Sequence, residues 1–193
     1  MTRLLIIGPP GSGKGTQAER LSNLLGIVAL STGDIFRQHV HERTLLGKQA
    51  QRCIDSGDLV PDTITNNMVE QRLGLADAED GFLLDGYPRT LAQVSALDAM
   101  LAANQTRLDA VVELTIDDEQ VVRRLLARTD GRSDDNEEVI RHRLDLYHRQ
   151  TKAVVTEYAT RGLLSEVDGA GRVDEVTERV MAALAMSVSA STT

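Results

Sequence analysis

A glycine-rich run near the start of the chain contains residues suited to binding phosphate. An apolar, strand-like stretch precedes it and a segment with helical spacing follows it. Glycines let successive backbone N–H groups turn towards phosphate oxygens, the helix start adds its positive end, and a lysine can reach the outer phosphates. An ordinary tight turn would need neither the lysine nor the glycine spacing. The run therefore predicts a P-loop, Gly8-Pro-Pro-Gly11-Ser12-Gly13-Lys14-Gly15-Thr16.

The residue after the P-loop lysine departs from the general motif. Gly15 stands where a serine or threonine is usual, and Thr16 follows one place later. This form, GPPGSGKGT, resembles the GxPGxGKGT variant of the nucleoside monophosphate kinases of the adenylate kinase family. The resemblance implies reversible transfer, ATP + AMP = 2 ADP, with Lys14 catalytic. The ATP-binding residues that it implies in the loop are Gly11, Ser12, Gly13, Lys14, Gly15 and Thr16.

A P-loop alone indicates only nucleoside triphosphate binding, but later segments resemble the part of the same family that binds AMP. The run Ser31-Thr32-Gly33-Asp34-Ile-Phe-Arg37 is similar to the opening of the AMP-binding lobe. By that resemblance Thr32 contacts the adenine and Arg37 the AMP phosphate. The backbone and apolar side chains of Asp58, Leu59 and Val60 are expected to line the adenine pocket.

A turn after the third apolar stretch resembles the DGxPRT…Q element of the family. It comprises Gly86, Tyr87, Pro88 and Arg89, with Gln93 four residues beyond the arginine. The resemblance implies that Arg89 binds the AMP phosphate and is catalytic, and that Gln93 binds the base edge. Taken singly, Thr32, Arg37 and Arg89 could be a helix cap, a solvated helix residue and a surface charge. Their order and spacing around a P-loop favour the binding roles.

An aspartate, Asp85, ends the apolar run that precedes this turn. A carboxylate at a strand end beside a P-loop can hold waters of a magnesium ion, which is the Walker-B arrangement. The alternative is an aspartate that caps the turn. We expect Mg²⁺, supplied with ATP, as the cofactor.

Three arginines surround a break in the helical pattern near residue 130. Arg128 and Arg132 flank Thr-Asp-Gly, and Arg143 follows Arg132 by eleven residues. In the family, arginines with this separation lie on a mobile lid and on its following helix. The resemblance implies that Arg128 faces ATP, and that Arg132 and Arg143 are catalytic and hold phosphates between donor and acceptor.

The segment expected to form the lid is short and contains no set of four cysteines and histidines. The zinc-bearing long lid of some relatives is therefore not expected here. Near the end of the chain, Gly171 resembles the loop whose backbone meets the adenine of ATP. No nucleophilic side chain is needed for the reaction, and no histidine is assigned a catalytic role.

Short apolar strands alternate with helical segments along most of the chain. Strands are predicted at 3–8, 27–30, 81–85, 110–116 and 163–167, and long helices at 14–25, 91–103, about 137–161 and about 174–184. This alternation predicts an α/β fold with a five-stranded parallel sheet and helices on both faces, the P-loop NTPase fold. We expect a single core domain over 1–193 with two insertions, a nucleoside monophosphate lobe at 31–60 and a short lid at 127–137.

Composition restricts the possible partners. The chain has 193 residues, is 41% hydrophobic and carries a formal net charge of −8, which disfavours binding to nucleic acid or an anionic membrane. Three of its 21 basic residues are lysines, so arginine dominates wherever anions are bound. The single cysteine, Cys53, excludes an internal disulfide. We expect a cytoplasmic monomer that acts on the small molecules ATP, AMP and ADP.

Two rival functions fit part of the pattern. A UMP/CMP kinase, or another nucleoside monophosphate kinase of the same fold, shares the P-loop, and only Thr32 and Gln93 favour adenine as the acceptor base. A P-loop regulatory switch is the other rival, but the sequence has no guanine-binding NKxD motif. A regulatory switch also does not require the set of arginines Arg37, Arg89, Arg132 and Arg143.

Overall fold

A five-stranded parallel sheet forms the centre of the protein. The computed structural model describes residues 2–128, 134 and 136–190, without the side chains of residues 187–190. The strands are β1 (Thr2–Ile7), β2 (Val28–Ser31), β3 (Gly81–Asp85), β4 (Ala110–Thr115) and β5 (Leu164–Asp168). They lie in the order β2-β3-β1-β4-β5, and every adjacent pair is parallel. The predicted five-stranded parallel sheet is confirmed.

Helices connect the strands and cover the sheet. They are α1 (Lys14–Leu25), α2 (Thr32–His41), α3 (Leu45–Ser56), α4 (Asp62–Leu73), α5 (Leu91–Ala103), α6 (Asp118–Leu126), α7 (Glu137–Leu146), α8 (Lys152–Thr160) and α9 (Val173–Ala190). A 3₁₀ turn spans Ala76–Ala78, and a π-helical turn, Tyr147–Thr151, joins α7 to α8. Five helix starts are capped by a side chain that accepts from the N–H three residues on. The capping residues are Ser31, Thr44, Thr90, Asp117 and Asn136.

Apolar side chains are buried on both faces of the sheet, as expected for a parallel sheet that helices cover on both sides. Leu5 and Val111 belong to a cluster with residues of α4, α5 and α8. Leu4 and Leu114 belong to a second cluster with residues of α1 and α9. The three central strands, β1, β3 and β4, are therefore enclosed, and their carboxyl ends are fixed relative to one another.

The strand order creates a crevice at the carboxyl ends. From β1 the chain passes through α1 to β2, on one side, whereas from β3 it passes through α5 to β4, on the other side of β1. Loops that leave neighbouring strands in opposite directions open a crevice, which is where ligands bind in sheets of this type.

Two predicted helices differ from the observed ones. The helix predicted over about 137–161 is interrupted by the π-helical turn. The last helix, predicted to end near residue 184, continues to Ala190, although the buried apolar pattern that marks it in the sequence ends at Ala183 and Leu184. None of the helices in the described ranges is long and apolar enough to cross a membrane.

Candidate active site

A cleft of about 700 Å³ lies at the carboxyl ends of the strands. Basic side chains from separate segments line it: Lys14, Arg37, Arg72, Arg89, Arg128 and Arg143. The carboxylates of Glu19, Asp34 and Asp85 also line it. A cleft with this excess of cations in a chain of net charge −8 is suited to polyanionic ligands.

The P-loop forms one wall of the cleft. Gly13 has a φ of 94° and stands at the start of α1, a backbone conformation that other residues rarely adopt. Gly8 packs so closely on β4 that a Cβ atom there would lie 2.5 Å from the Leu114 carbonyl oxygen. Ser12 is buried within the loop. The glycines thus allow the loop to stay tight between β1 and α1.

Lys14 folds back over the loop that precedes it. Its Nζ donates to the carbonyl oxygens of Gly8 and Pro9, at 2.8 and 2.7 Å. The pKa of Lys14 is lowered to about 8, mainly by burial; the charge of Asp85 opposes this change, and the positive charges of Arg89 and Arg143 contribute to it. The ammonium group is therefore held where added negative charge would stabilise it.

Asp85, the last residue of β3, faces the start of α1. Its Oδ2 lies 3.7 Å from the position that a Cβ atom on Gly15 would occupy. Burial raises the pKa of Asp85, and the charge of Lys14 opposes that change. Magnesium in phosphate sites is bound by one or two carboxylates together with waters and phosphate oxygens, so one buried carboxylate beside the P-loop fits such an ion. No group of three or more potential metal ligands occurs among the described residues.

The start of α2 contacts the end of β3. The Thr32 hydroxyl is buried and donates to the Gly86 carbonyl at 3.0 Å. Arg37, one turn along α2, lines the cleft with its guanidinium 2.5 Å from the Asp34 carboxylate. Thr32 therefore joins the loops after β2 and β3, and Arg37 extends from the same helix into the cleft.

Arg89 lies in the cleft at the turn after β3. Its Nε donates to the Gly86 carbonyl at 2.8 Å. Burial and the charge of Arg143 lower the pKa of Arg89. Tyr87 is buried behind this turn, where its hydroxyl donates to Asn66 at 2.8 Å, and Pro88 follows a cis peptide bond.

Gln93 has both ends of its side-chain amide bound inside the protein. The residue is 2% exposed. Its Oε1 accepts from the backbone N–H of Arg89, and its Nε2 donates to Asp62 Oδ1, each at 2.7 Å. Asp62 was not among the predicted site residues, and no motif in the sequence points to it.

The three residues from 58 to 60 have different surroundings. Leu59 lines the cleft, whereas Val60 is buried in the core. The exposed carboxylate of Asp58 lies 2.7 Å from His142 Nε2 on α7, and this hydrogen bond is the main cause of the lowered pKa of Asp58. The segment therefore contacts the helix that follows the predicted lid.

Of the lid arginines, Arg128 and Arg143 line the cleft. Arg143 Nη1 donates to Asp134 Oδ2 at 2.5 Å, and both side chains are largely buried. Asp134 stands in a polar run that the sequence marks only as part of the lid. Arg132 lies outside the described residues.

Gly171 belongs to the loop between β5 and α9. It has a φ of 107°, and a Cβ atom there would lie 2.7 Å from Glu175 Oε2. The neighbouring Gly169 is close to the P-loop, since a Cβ atom on it would lie 3.2 Å from the Ser12 carbonyl oxygen. The β5–α9 loop therefore lies beside the P-loop.

Two residues of the π-helical turn, Tyr147 and Thr151, also line the cleft and were not among the predicted site residues. Thr151 Oγ1 donates to the Arg89 carbonyl oxygen at 3.3 Å. Tyrosine and threonine inside a helical pattern give no sequence signal of such a position, because their hydrogen-bond partners, Glu113 and Arg89, lie far from them in the sequence.

Comparisons with known proteins identify the family of the chain. Residues 6–163 match the profile of the family described as "Adenylate kinase". The adenylate kinase of Pseudarthrobacter chlorophenolicus is 64% identical over 95% of this chain and 97% of the relative. That of Renibacterium salmoninarum is 62% identical over 95% and 96%, and that of Thermobifida fusca 56% identical over 94% and 97%. The chain belongs to the adenylate kinase family.

Proposed function

We propose that the cleft binds two nucleotides with their phosphates facing each other and transfers the terminal phosphoryl group of ATP to AMP, in the reversible reaction ATP + AMP = 2 ADP. As a member of the adenylate kinase family, the chain is a phosphoryl-transferring enzyme. The observation that carries the proposal is the convergence of Lys14, Arg89 and Arg143, from three separate segments, in one cleft.

In this proposal ATP occupies the side of the cleft formed by the P-loop. Backbone N–H groups at the start of α1 bind its phosphates, and Lys14 exchanges its carbonyl partners for phosphate oxygens. The β5–α9 loop lies beside the P-loop and meets the adenine. The ATP-binding residues are then Gly11, Ser12, Gly13, Lys14, Gly15, Thr16, Arg128 and Gly171.

AMP occupies the side formed by α2, α3 and the turn after β3. Arg37 and Arg89 lie in the cleft where they can bind the AMP phosphate. Binding of adenine by Gln93 requires its amide to exchange Asp62 for the base, which replaces one hydrogen bond by another. The AMP-binding residues are then Thr32, Arg37, Asp58, Leu59, Val60, Gly86, Tyr87, Pro88, Arg89, Gln93, Arg132 and Arg143.

Asp85 would hold a magnesium ion through its bound waters, and no zinc ion is part of the proposal. A magnesium ion bound there neutralises charge on the outer phosphates of ATP and fixes their orientation. Asp85 itself orients the ion and offsets the positive charge of Lys14. Because Asp85 is buried, its carboxylate is shielded from bulk solvent.

The reaction needs alignment and charge neutralisation rather than a base. A phosphate monoester has its second pKa near 6, so the attacking oxygen of AMP is already ionised at about neutral pH. In phosphoryl transfer the charge spreads over the equatorial oxygens, and guanidinium groups can bind these in a bidentate way. Lys14, Arg89, Arg132 and Arg143 are the residues to which we assign that role.

Residues 31–60 would act as the AMP-binding lobe and residues 127–137 as a short lid, both inserted in a single core domain. Arg143 is bound to Asp134 at the end of the lid segment, so phosphate must replace that carboxylate when both nucleotides are present. Closure that depends on both ligands would keep water from the transferring group. We infer that the protein works as a cytoplasmic monomer on free nucleotides.

The choice of AMP over other acceptors is tested with a panel of nucleoside monophosphates. Purified protein is incubated with Mg-ATP and AMP, UMP, CMP or GMP, and ADP formation is measured in each case. Of the four acceptors, we expect only AMP to support rapid ADP formation. Faster turnover with UMP or CMP would support the rival kinase, and slow hydrolysis that ignores the acceptor would support a regulatory switch.

The assignment of Arg89 is tested by Arg89→Ala. Because arginines that meet the transition state in related chemistry contribute about 10³-fold or more to the rate, we expect kcat to fall by about that factor with the fold retained. Arg20→Ala is the matched control, since Arg20 is exposed, pairs with Asp174 and does not line the cleft, and it should keep normal kcat. Near-normal turnover of a folded R89A variant would contradict the assignment.

The lowered pKa of Lys14 predicts proton uptake on nucleotide binding. In the nucleotide-free protein Lys14 loses its proton above about pH 8. Bound phosphates favour its charged form. Binding of Mg-ATP should therefore take up a proton at alkaline pH, and the affinity should fall as pH rises. Calorimetry at pH 8.5 in buffers of different ionisation enthalpy measures this uptake.

Lys14→Arg serves as the control, because a guanidinium stays protonated throughout this range. The variant should bind without the Lys14-linked uptake. Equal proton uptake by the wild type and K14R would show that another group titrates.

A further inference from the structure

A carboxylate lies inside the central sheet where an apolar residue would be expected. Glu113, in β4, is 1% exposed. Its Oε1 accepts from the Tyr147 hydroxyl at 2.7 Å and from Lys152 Nζ at 3.1 Å. Its Oε2 is buried and has no hydrogen-bond partner among the described residues. A half-satisfied buried carboxylate costs stability that a leucine would not, so packing alone does not account for it.

Both partners of Glu113 flank the π-helical turn. The Lys152 N–H donates to the Tyr147 carbonyl, which closes a ring of five residues in place of the four of an α-helix. In a continuous α-helix, side chains five residues apart point about 140° away from each other. The extra residue in the turn brings Tyr147 and Lys152 to the same side. Glu113 can therefore bind both only while the turn is π-helical.

The same turn connects two functional parts of the cleft. Arg143 lies four residues before Tyr147 on α7, so the two side chains share a helix face, and both line the cleft. Thr151, at the other end of the turn, binds the Arg89 carbonyl oxygen. Beyond the turn, α8 is fixed in the core by Val154 and Tyr158. The turn thus determines how α7, with Arg143, is rotated relative to a fixed α8.

We propose that Glu113 is a positioning residue for phosphoryl transfer: by binding Tyr147 and Lys152 it maintains the π-helical turn that directs Arg143 into the cleft. The proposal rests on the proposed function, because it assumes that Arg143 binds the transferring phosphates. It assigns no contact between Glu113 and a nucleotide. Relaxation of the turn to an α-helix would rotate α7 by about 100° relative to α8, which is the helical rotation contributed by one residue.

The first test compares Glu113→Leu, Glu113→Gln and Lys152→Met. E113L removes the hydrogen-bond acceptor of Tyr147 and Lys152. We expect kcat to fall by about tenfold or more with smaller changes in KM, since small misplacements of catalytic groups lower the rate by up to about a hundredfold. E113Q keeps an acceptor oxygen and should retain most activity. K152M changes a half-exposed side chain, so it should fold normally and lose kcat by a smaller factor.

Glu157→Gln is the matched control, because it changes a carboxylate on α8 that pairs with Arg161 away from the cleft. It should leave kcat unchanged. Thermal melting of each variant confirms that it is folded at the assay temperature. Equal loss of kcat in E113L and E113Q, or no loss in E113L and K152M, would overturn the proposal.

A double-mutant cycle tests whether Glu113 acts through Arg143. In an Arg143→Ala background, E113L should reduce kcat by less than about twofold further, because the group that it positions is already absent. The same fold loss in both backgrounds would show that Glu113 acts elsewhere.

Amide hydrogen exchange of the Lys152 N–H gives a readout that does not depend on catalysis. It should be faster in E113L than in E113Q, as the π-helical turn opens. An unchanged exchange rate in E113L would count against the proposal even if the enzyme proved to phosphorylate another nucleoside monophosphate. Conversely, absence of AMP-dependent ADP formation in the wild type would defeat the proposed function and leave the exchange result standing.

Discussion

Repulsion between positive charges confined in one cleft is the constraint on which the rest of the structure depends. Burial is the main cause of the lowered pKa values of Lys14 and Arg89, and the charge of Arg143 contributes to the lowering of both. Such a cluster is unfavourable until anions enter it. Anionic phosphates relieve this repulsion, so ligand binding stabilises the folded cleft.

The scaffold holds these cations with partners that a phosphate can replace. Lys14 donates to two P-loop carbonyls, Arg89 to the Gly86 carbonyl, and Arg143 to the Asp134 carboxylate. The rigid parts lie behind them, in the central strands and in the π-helical turn. The fold thus separates groups that exchange partners from elements that keep their positions.

Local sequence patterns predicted the five strands and the helices α1 and α5, because the residues that form each pattern are neighbours in the chain, as Gly13 is of α1. The π-helical turn was not predictable, since it forms around Glu113, which lies on β4 far along the chain from Tyr147. A charged residue within the apolar run of β4 was the one visible sign. The partners of Gln93 and Asp58 were hidden for the same reason: Asp62 and His142 come from other helices.

Direct phosphoryl transfer between two nucleotides aligned in the cleft can be followed in a single-turnover experiment with ATP labelled on its γ-phosphorus, in the presence and absence of AMP. With AMP, we expect the label to move into ADP much faster than it appears as inorganic phosphate. Release of the label as phosphate at the same rate with and without AMP would show that the cleft does not align the two nucleotides for transfer.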